Sequence, residues 1–268
     1  MRGGGAALAL VALISVAGCS GAEKNASAET PASNTVDRIA KRVAGRYAHY
    51  DVVAYGSTDM KTLIISFGFT DLAVKKGKLT AKESFCHSDQ RTNLPVTTEM
   101  PDAATRAIKP IATPVTVSEK NGRVRIQRPK TPTGIGIHLR DPAHDSLPTD
   151  PADPRIADDD HDGNPGVTVH IKVSDTLSGD LFIARREIFA YDVVGKAGGA
   201  LTGTVSDHSE QLIVGASDDM FKTKAAWVQY PDPGKSPIIL KPVDKSWDCA
   251  RLMAERDRLF PPTPEVDW

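Results

Sequence analysis

Aromatic residues are scarce in this chain of 268, at 6%, and cysteines number only three. No stretch reaches the roughly 18 to 20 consecutive apolar residues that a spanning helix needs. Excess charge of either sign is missing too. Thirty-three Lys and Arg stand against 34 Asp and Glu, a formal net charge of -1, which argues against a polyanion-binding surface and so against a nucleic-acid partner. Catalytic and cofactor signatures are equally absent. Seven histidines occur without H-x-x-x-H or H-E-x-x-H spacing, which removes the usual zinc sites. There is no C-x-x-C-H haem site, nucleophile elbow or P-loop, and Gly134-Ile135-Gly136 lacks the third glycine of a dinucleotide fingerprint. What remains is 25% charged and 40% hydrophobic, ordinary for a folded protein. Twenty-one Gly and 19 Pro favour short elements joined by turns over long helices.

The sharpest local signal is N-terminal. Arg2 is followed by small and apolar residues from Ala6 to Val16, and then by Val16-Ala17-Gly18-Cys19. This resembles a bacterial lipoprotein signal peptide ending in a lipobox. The resemblance implies removal of residues 1–18, a diacylglyceryl group on Cys19 and anchorage of the mature chain to the cell envelope, in the outer membrane if the host has one. Acyl chains hold a protein at a bilayer with about 0.8 kcal/mol per buried CH2. An ordinary secretory signal with a chance cysteine is the alternative. Residues 19–33 are rich in Ser, Ala and Glu without an apolar period, and read as the lipidated cysteine and a flexible tether. Residues 34–268 are expected to fold as one β-rich domain.

Assigning Cys19 to lipid leaves Cys86 and Cys249, an even pair in an oxidising compartment, and predicts a disulfide between them. Two buried free thiols are the alternative.

Along the body, Val36, Ile39, Ala40 and Val43 follow the i, i+3, i+4, i+7 rule, and predict a helix over 34–44 with Asn34 as N-cap. Gly45 to Tyr55 is aromatic and β-branched. Lys61 to Leu72 sets Leu63, Ile65, Phe67 and Phe69 opposite Thr62, Ser66, Gly68 and Thr70, the alternation of a half-buried strand. Lys75-Lys76-Gly77-Lys78 and Asn121-Gly122 read as hairpin turns, and Pro101 to Ile108 as a short helix. Ile135, Ile137 and Leu139 share a face. Residues 129–166 hold many of the prolines and much of the acid, and read as one long loop. Strands resume at Val167, Val169, Ile171 and Val173. Asp180 to Val194 is apolar on both faces around Arg185-Arg186-Glu187, read as an exposed edge, an internal salt bridge, or an Arg placed in a cavity to meet an anionic head group. Trp247, Cys249, Leu252, Met253, Leu259 and Phe260 predict a terminal helix capped by Ser246.

Hairpins without βα alternation predict a mainly β fold, an antiparallel meander of eight or nine strands closed as a barrel or stacked as a sandwich, with one helix at each end. The plan is similar to a lipocalin or calycin barrel. That resemblance rests on a short helix before Gly45-Arg46-Tyr47, on the up-and-down strand order and on a C-terminal helix pinned by a disulfide. It implies a cavity for a small apolar ligand.

One constellation suggests a metal. Asp158, Asp160, Asp162 and Gly163 satisfy D-x-D-x-D-G, which resembles the first half of an EF-hand calcium loop; Asn164 would add its backbone carbonyl. Position twelve is Val169 rather than Glu, so Asp150 or Asp153 would have to complete a calcium shell; a solvated acidic turn is the alternative. His138 and His170, on the polar faces of predicted strands, are candidates to meet across a sheet; solvent or local partners are the plainer expectation. The leading expectation is therefore a lipid-anchored, non-enzymatic envelope protein binding a small apolar or amphipathic ligand or an envelope partner. The rivals are a calcium-stabilised surface recognition module and a hydrolase of unrecognised type.

Overall fold

The computed structural model describes residues 31–56, 60–222 and 228–268. The signal, the lipobox and Cys19 lie outside the described residues. Helix α1 (Pro31–Val43) leads into a meander of three long strands, β1 (Gly45–Gly56), β2 (Lys61–Lys75) and β3 (Lys78–Thr92). The β2–β3 turn sets Lys76 at φ 49° and Gly77 at φ 71°, the two left-handed residues that a tight hairpin demands. Short pieces follow: β4 (Thr97–Glu99), α2 (Asp102–Ala107) and β5 (Thr113–Pro114). β6 (Thr116–Lys120) and β7 (Arg123–Ile135) form a hairpin turning at Asn121-Gly122, again with both φ values positive. After a loop come β8 (Val167–Ser174), β9 (Leu177–Gly195), β10 (Leu201–Asp207), β11 (Glu210–Ala216), β12 (Val228–Gln229), β13 (Pro237–Val243) and α3 (Cys249–Leu259).

All the pairings are antiparallel, and the sheet runs β4-β8-β9-β10-β13-β1-β2-β3-β5. It curls into a half-barrel. The spine is β9, whose 19 residues pair with β8 and then β7 along one edge, and with β11 and then β10 along the other. Thirteen strands replace the expected eight or nine, because edge pieces such as β4, β5 and β12 are two or three residues long and leave no period in the sequence.

Strand β1 is buried along nearly its whole length because both its faces are covered. Tyr47, Val53 and Tyr55 join the inner cluster with Phe189, Tyr191 and Leu240, and Ile39, Ala40 and Val43 of α1 pack into the same cluster. Ala48, Tyr50 and Val52 point outward under α3, against Leu252, Leu259 and Phe260, and the rings of Tyr50 and Phe260 stack 5.3 Å apart. Burying such rings contributes about 1.5–3 kcal/mol each. The sulfurs of Cys86, on β3, and Cys249, the first residue of α3, lie at disulfide distance with Cα atoms 5.3 Å apart. This pair ties the terminal helix to the outer face.

Four local expectations change. The side chain of Asp248, not Ser246, caps α3 by accepting from Arg251 N at 2.8 Å, while Ser246 N is itself held by Asp244. Asn34 lies inside α1, which begins at Pro31, rather than capping it. Residues 129–135 are not loop. They form the second half of β7: Pro129 falls in a register shift between Arg128 and Thr131, and Pro132 stands opposite Ile188, whose own N–H and C=O turn to Ser209 and His208, so neither missing N–H breaks a ladder bond. The common face of Ile135, Ile137 and Leu139 is broken by Gly136 at φ 63°; Ile135 faces inward with Val167 and Ile183, whereas Ile137 packs outside on Ala184 and Val214. Leu139, Leu147 and Ile156 follow it there, so residues 137–156 sheathe the outside of β9 and β11.

Candidate functional site

The period of a strand puts Ile183, Arg185, Glu187, Phe189 and Tyr191 of β9 on the inner face, opposite His49, Asp51, Val53 and Tyr55 of β1. Six of these nine side chains are polar or ionisable in positions where a filled barrel would carry Val or Leu. They form ladders. Arg185 donates to Tyr55 Oη at 2.7 Å and to Asp207 Oδ2 at 3.1 Å, and Tyr55 hydrogen-bonds the same carboxylate. Deeper, Arg128 of β7 donates from Nε to Glu83 Oε2 of β3 at 3.1 Å, and Tyr191 donates to the other oxygen of Glu83. His49 has its Nε2 2.7 Å from Asp51 Oδ1 and its Nδ1 2.7 Å from Thr70 Oγ1. Burial raises the Asp51 carboxyl above its usual range, an effect that His49 opposes.

Glu187 differs from all of these. It has no hydrogen-bond or ion-pair partner among the described residues; it is half-buried, and it lines the two small inner spaces. Burial pushes its carboxyl up to about 7; Arg185 opposes this, and the neighbouring charges of Asp207 and Asp51 add to it. An unpaired acid in a low-dielectric site is destabilised in its charged form.

Above this layer the half-barrel is hollow. A chamber of about 310 Å3 opens between β2, β3, β4, β8 and β9, walled by Ile64, Val169, Ile171, Leu181 and Ile183 with Arg185 at its base. Smaller spaces of about 60 and about 20 Å3 continue inward. The first shares Ile64, Gln90, Met100 and Arg185 with the chamber, and Glu187 lines both small spaces. The hydroxyls of Thr62, in the chamber wall, and Thr105, in the wall of the next space, are buried without a hydrogen-bond partner among the described residues. Among the described residues six large apolar side chains are exposed, and three of them (Leu94, Val173 and Met220) line this chamber. Exposed apolar residues gathered at one opening mark a binding surface more than scattered ones do. Two roomier hollows, about 420 and about 560 Å3, are more open; buried Arg128 lines the first and buried Asp207 the second, but neither has an aliphatic wall like that of the chamber.

The acidic loop forms a second site. Asp158, Asp160 and Asp162 each offer one carboxylate oxygen, all within 4.8 Å of one another. Asp158 accepts from the backbone N–H groups of Asp162 and Gly163, and Asp160 from Thr168 N at 3.0 Å. Thr168 Oγ1 donates to Asp162. The turn is made by His161 at φ 60° and Gly163 at φ 89°. The second oxygen of Asp160 is buried without a partner among the described residues, and burial, with the charges of Asp162 and Asp158 adding to it, raises its carboxyl. These residues can hold a metal ion. Asn164 contributes its N–H to Asp162 at 2.8 Å. Asp153 is bound to Arg155, which with the Arg155 backbone N–H holds it down at about 2, and Asp150 caps Ala152 N, so both are engaged away from the cluster.

The structure does not bring His138 and His170 together. His138 sits 2.9 Å from Asp159 and His170 2.6 Å from Asp180. Arg186 is neither a bare edge residue nor a ligand for an anion. It bridges Glu210 and the carbonyls of Pro142 and Asp145, fastening the 137–156 sheath. Arg185 fulfils the internal salt-bridge reading, since Asp207 and Tyr55 already take its guanidinium. Asp51, Glu83 and Asp207 were not recognised from sequence. The available signal was charge recurring in phase with apolar neighbours, as in Tyr47-x-His49-x-Asp51-x-Val53-x-Tyr55. Comparison with protein-family models, with curated proteins and with solved structures finds no match to this chain.

Proposed function

We propose that this chain is a lipid-anchored cell-envelope protein that takes up a small apolar or amphipathic ligand, without transforming it, in the mouth of its half-barrel. The observation that carries the reading is the chamber of about 310 Å3 with an exposed apolar rim and an aliphatic wall. Its size falls at the lower end of ligand pockets, and such sites combine apolar walls with a few placed polar groups. Binding without chemistry is supported by how the interior charges are engaged: Arg185, Arg128 and Asp51 are each held by a partner, and His49 is fully buried away from the mouth. Anchorage rests on the lipobox-like Val16-Ala17-Gly18-Cys19 and the polar segment behind it. Among the described residues no helix is long and apolar enough to cross a membrane.

The test is uptake of an uncharged apolar fluorophore such as N-phenyl-1-naphthylamine. Saturable enhancement is expected, and Leu181→Trp, which places an indole in the chamber, should abolish it while leaving the far-ultraviolet circular dichroism unchanged. Uptake that survives the substitution, or a wild-type protein that takes up none, would overturn the reading.

A second reading has its own support in the partnerless buried oxygen of Asp160 among three converging carboxylates. In that reading the loop binds Ca2+ as a structural ion, holding the 158–166 turn against β8 so that the outer surface can recognise a protein or glycan. Its affinity would be about millimolar, as in extracellular modules.

A further inference from the structure

The interior charges pair one to one, with one carboxylate left over. Facing inward among the described residues are the acids Asp51, Glu83, Glu187 and Asp207 and the basic side chains His49, Arg128 and Arg185; Lys109 borders the smallest space but carries its ammonium out to Asp159 and His138. Arg128 is held by Glu83, Arg185 by Asp207, and Asp51 by His49. Glu187 remains, lining both inner spaces next to Phe85 and Phe189. A ligand carrying an anionic head would enter a region where acid exceeds base and where each arginine already has a carboxylate partner. A ligand with a cationic head would supply the missing counter-charge.

From this excess and from the unpaired position of Glu187 we infer that the half-barrel selects apolar molecules bearing a protonated amine, with the ammonium group meeting Glu187 and the hydrocarbon lying in the chamber above. This rests on the ligand-binding reading of the chamber. Thr105, whose buried hydroxyl has no partner and lines the same space as Glu187, provides an acceptor for a second ammonium proton. A charge-assisted hydrogen bond in a dry site is about twice as strong as a neutral one, and truncating one partner of such a pair is correspondingly severe. The groups acting on Glu187 are Arg185 from its own strand, Asp207 from β10, Asp51 from β1 and Arg128 from β7. Burial holds its proton up to near neutrality, so an arriving ammonium would expel that proton, and binding would weaken below neutral pH.

Calorimetric titration of the full chain at pH 8 with octylammonium, octanol and octyl sulfate tests this, repeated with Glu187→Gln. Octylammonium should bind at least about tenfold more tightly than octanol, octyl sulfate most weakly, and Glu187→Gln should bring octylammonium down to octanol while leaving octanol unchanged. Equal binding of the three, or tightest binding of the sulfate, would overturn the inference and leave the chamber reading standing. A preference for octylammonium that survives Glu187→Gln would remove Glu187 as its origin. If none of the three binds, the chamber reading falls and takes this inference with it. The wild-type ranking alone decides the charge preference, whatever the fate of the variant.

Discussion

Replacing Glu187 by Gln should stabilise this protein at alkaline pH and leave it nearly unchanged in acid. The carboxyl is displaced from 4.5 to about 7 by burial, so the native state holds its proton more tightly than the unfolded chain does. A raised acid therefore contributes stability that is complete below about pH 4.5 and is lost as pH climbs through about 7. At about 1.36 kcal/mol per pH unit, the difference amounts to about 3 kcal/mol between acid and pH 8. Glutamine keeps the shape and mimics the protonated form, so it does not incur that loss. Urea unfolding of wild type and variant, with the cysteine pair intact, should give curves that nearly coincide at pH 4.5 and separate by about 3 kcal/mol at pH 8, the variant being the more stable. A variant less stable at pH 8, or an offset that is the same at both pH values, would refute the picture of an unpaired, enclosed acid.

Opening the Cys86–Cys249 pair, which spans 163 residues, should lower stability by up to about 5 kcal/mol on the chain-entropy estimate. Peptide mapping without reductant should recover the two cysteines joined, and two free thiols would contradict the pairing. Calorimetric titration with Ca2+ should release or absorb heat and raise the melting temperature of wild type but not of Asp160→Ala; no heat and no shift would remove the calcium reading. Cys19→Ser should move the protein out of the membrane fraction, and continued membrane association would refute the lipid anchor.

Much of the scaffold is written locally in the chain. In β2 the alternation of Leu63, Ile65, Phe67 and Phe69 with polar neighbours stands in the sequence as it stands in the sheet, and the left-handed turn at Lys76-Gly77 follows from residues that tolerate it. The wall of the chamber was legible in the same way, since Val169, Ile171 and Val173 alternate on β8. Cavity and charge network were not. Whether an aliphatic face fills a core or lines a space depends on what stands opposite, and Ile64 and Leu181 come from distant parts of the chain. Arg185 could be read as edge, salt bridge or ligand contact until Tyr55, 130 residues away, was placed beside it. Pro129 and Pro132 look like loop residues for a related reason, because only the register of β7 against β9 shows that the ladder shifts at Pro129 and that Pro132 faces Ile188. The acidic triplet lay in view because it is contiguous, and the carboxylates do converge.

The ligand-binding claim is tested most directly by where a bound molecule touches. Methyl-selective NMR of the protein titrated with octylammonium should show shifts concentrated at Val169, Ile171, Leu181 and Ile183, with intermolecular contacts from the octyl chain to the same methyls. Shifts centred on the outer face, at Val243 and Leu252 beneath α3, or no shifts at saturating ligand, would contradict it.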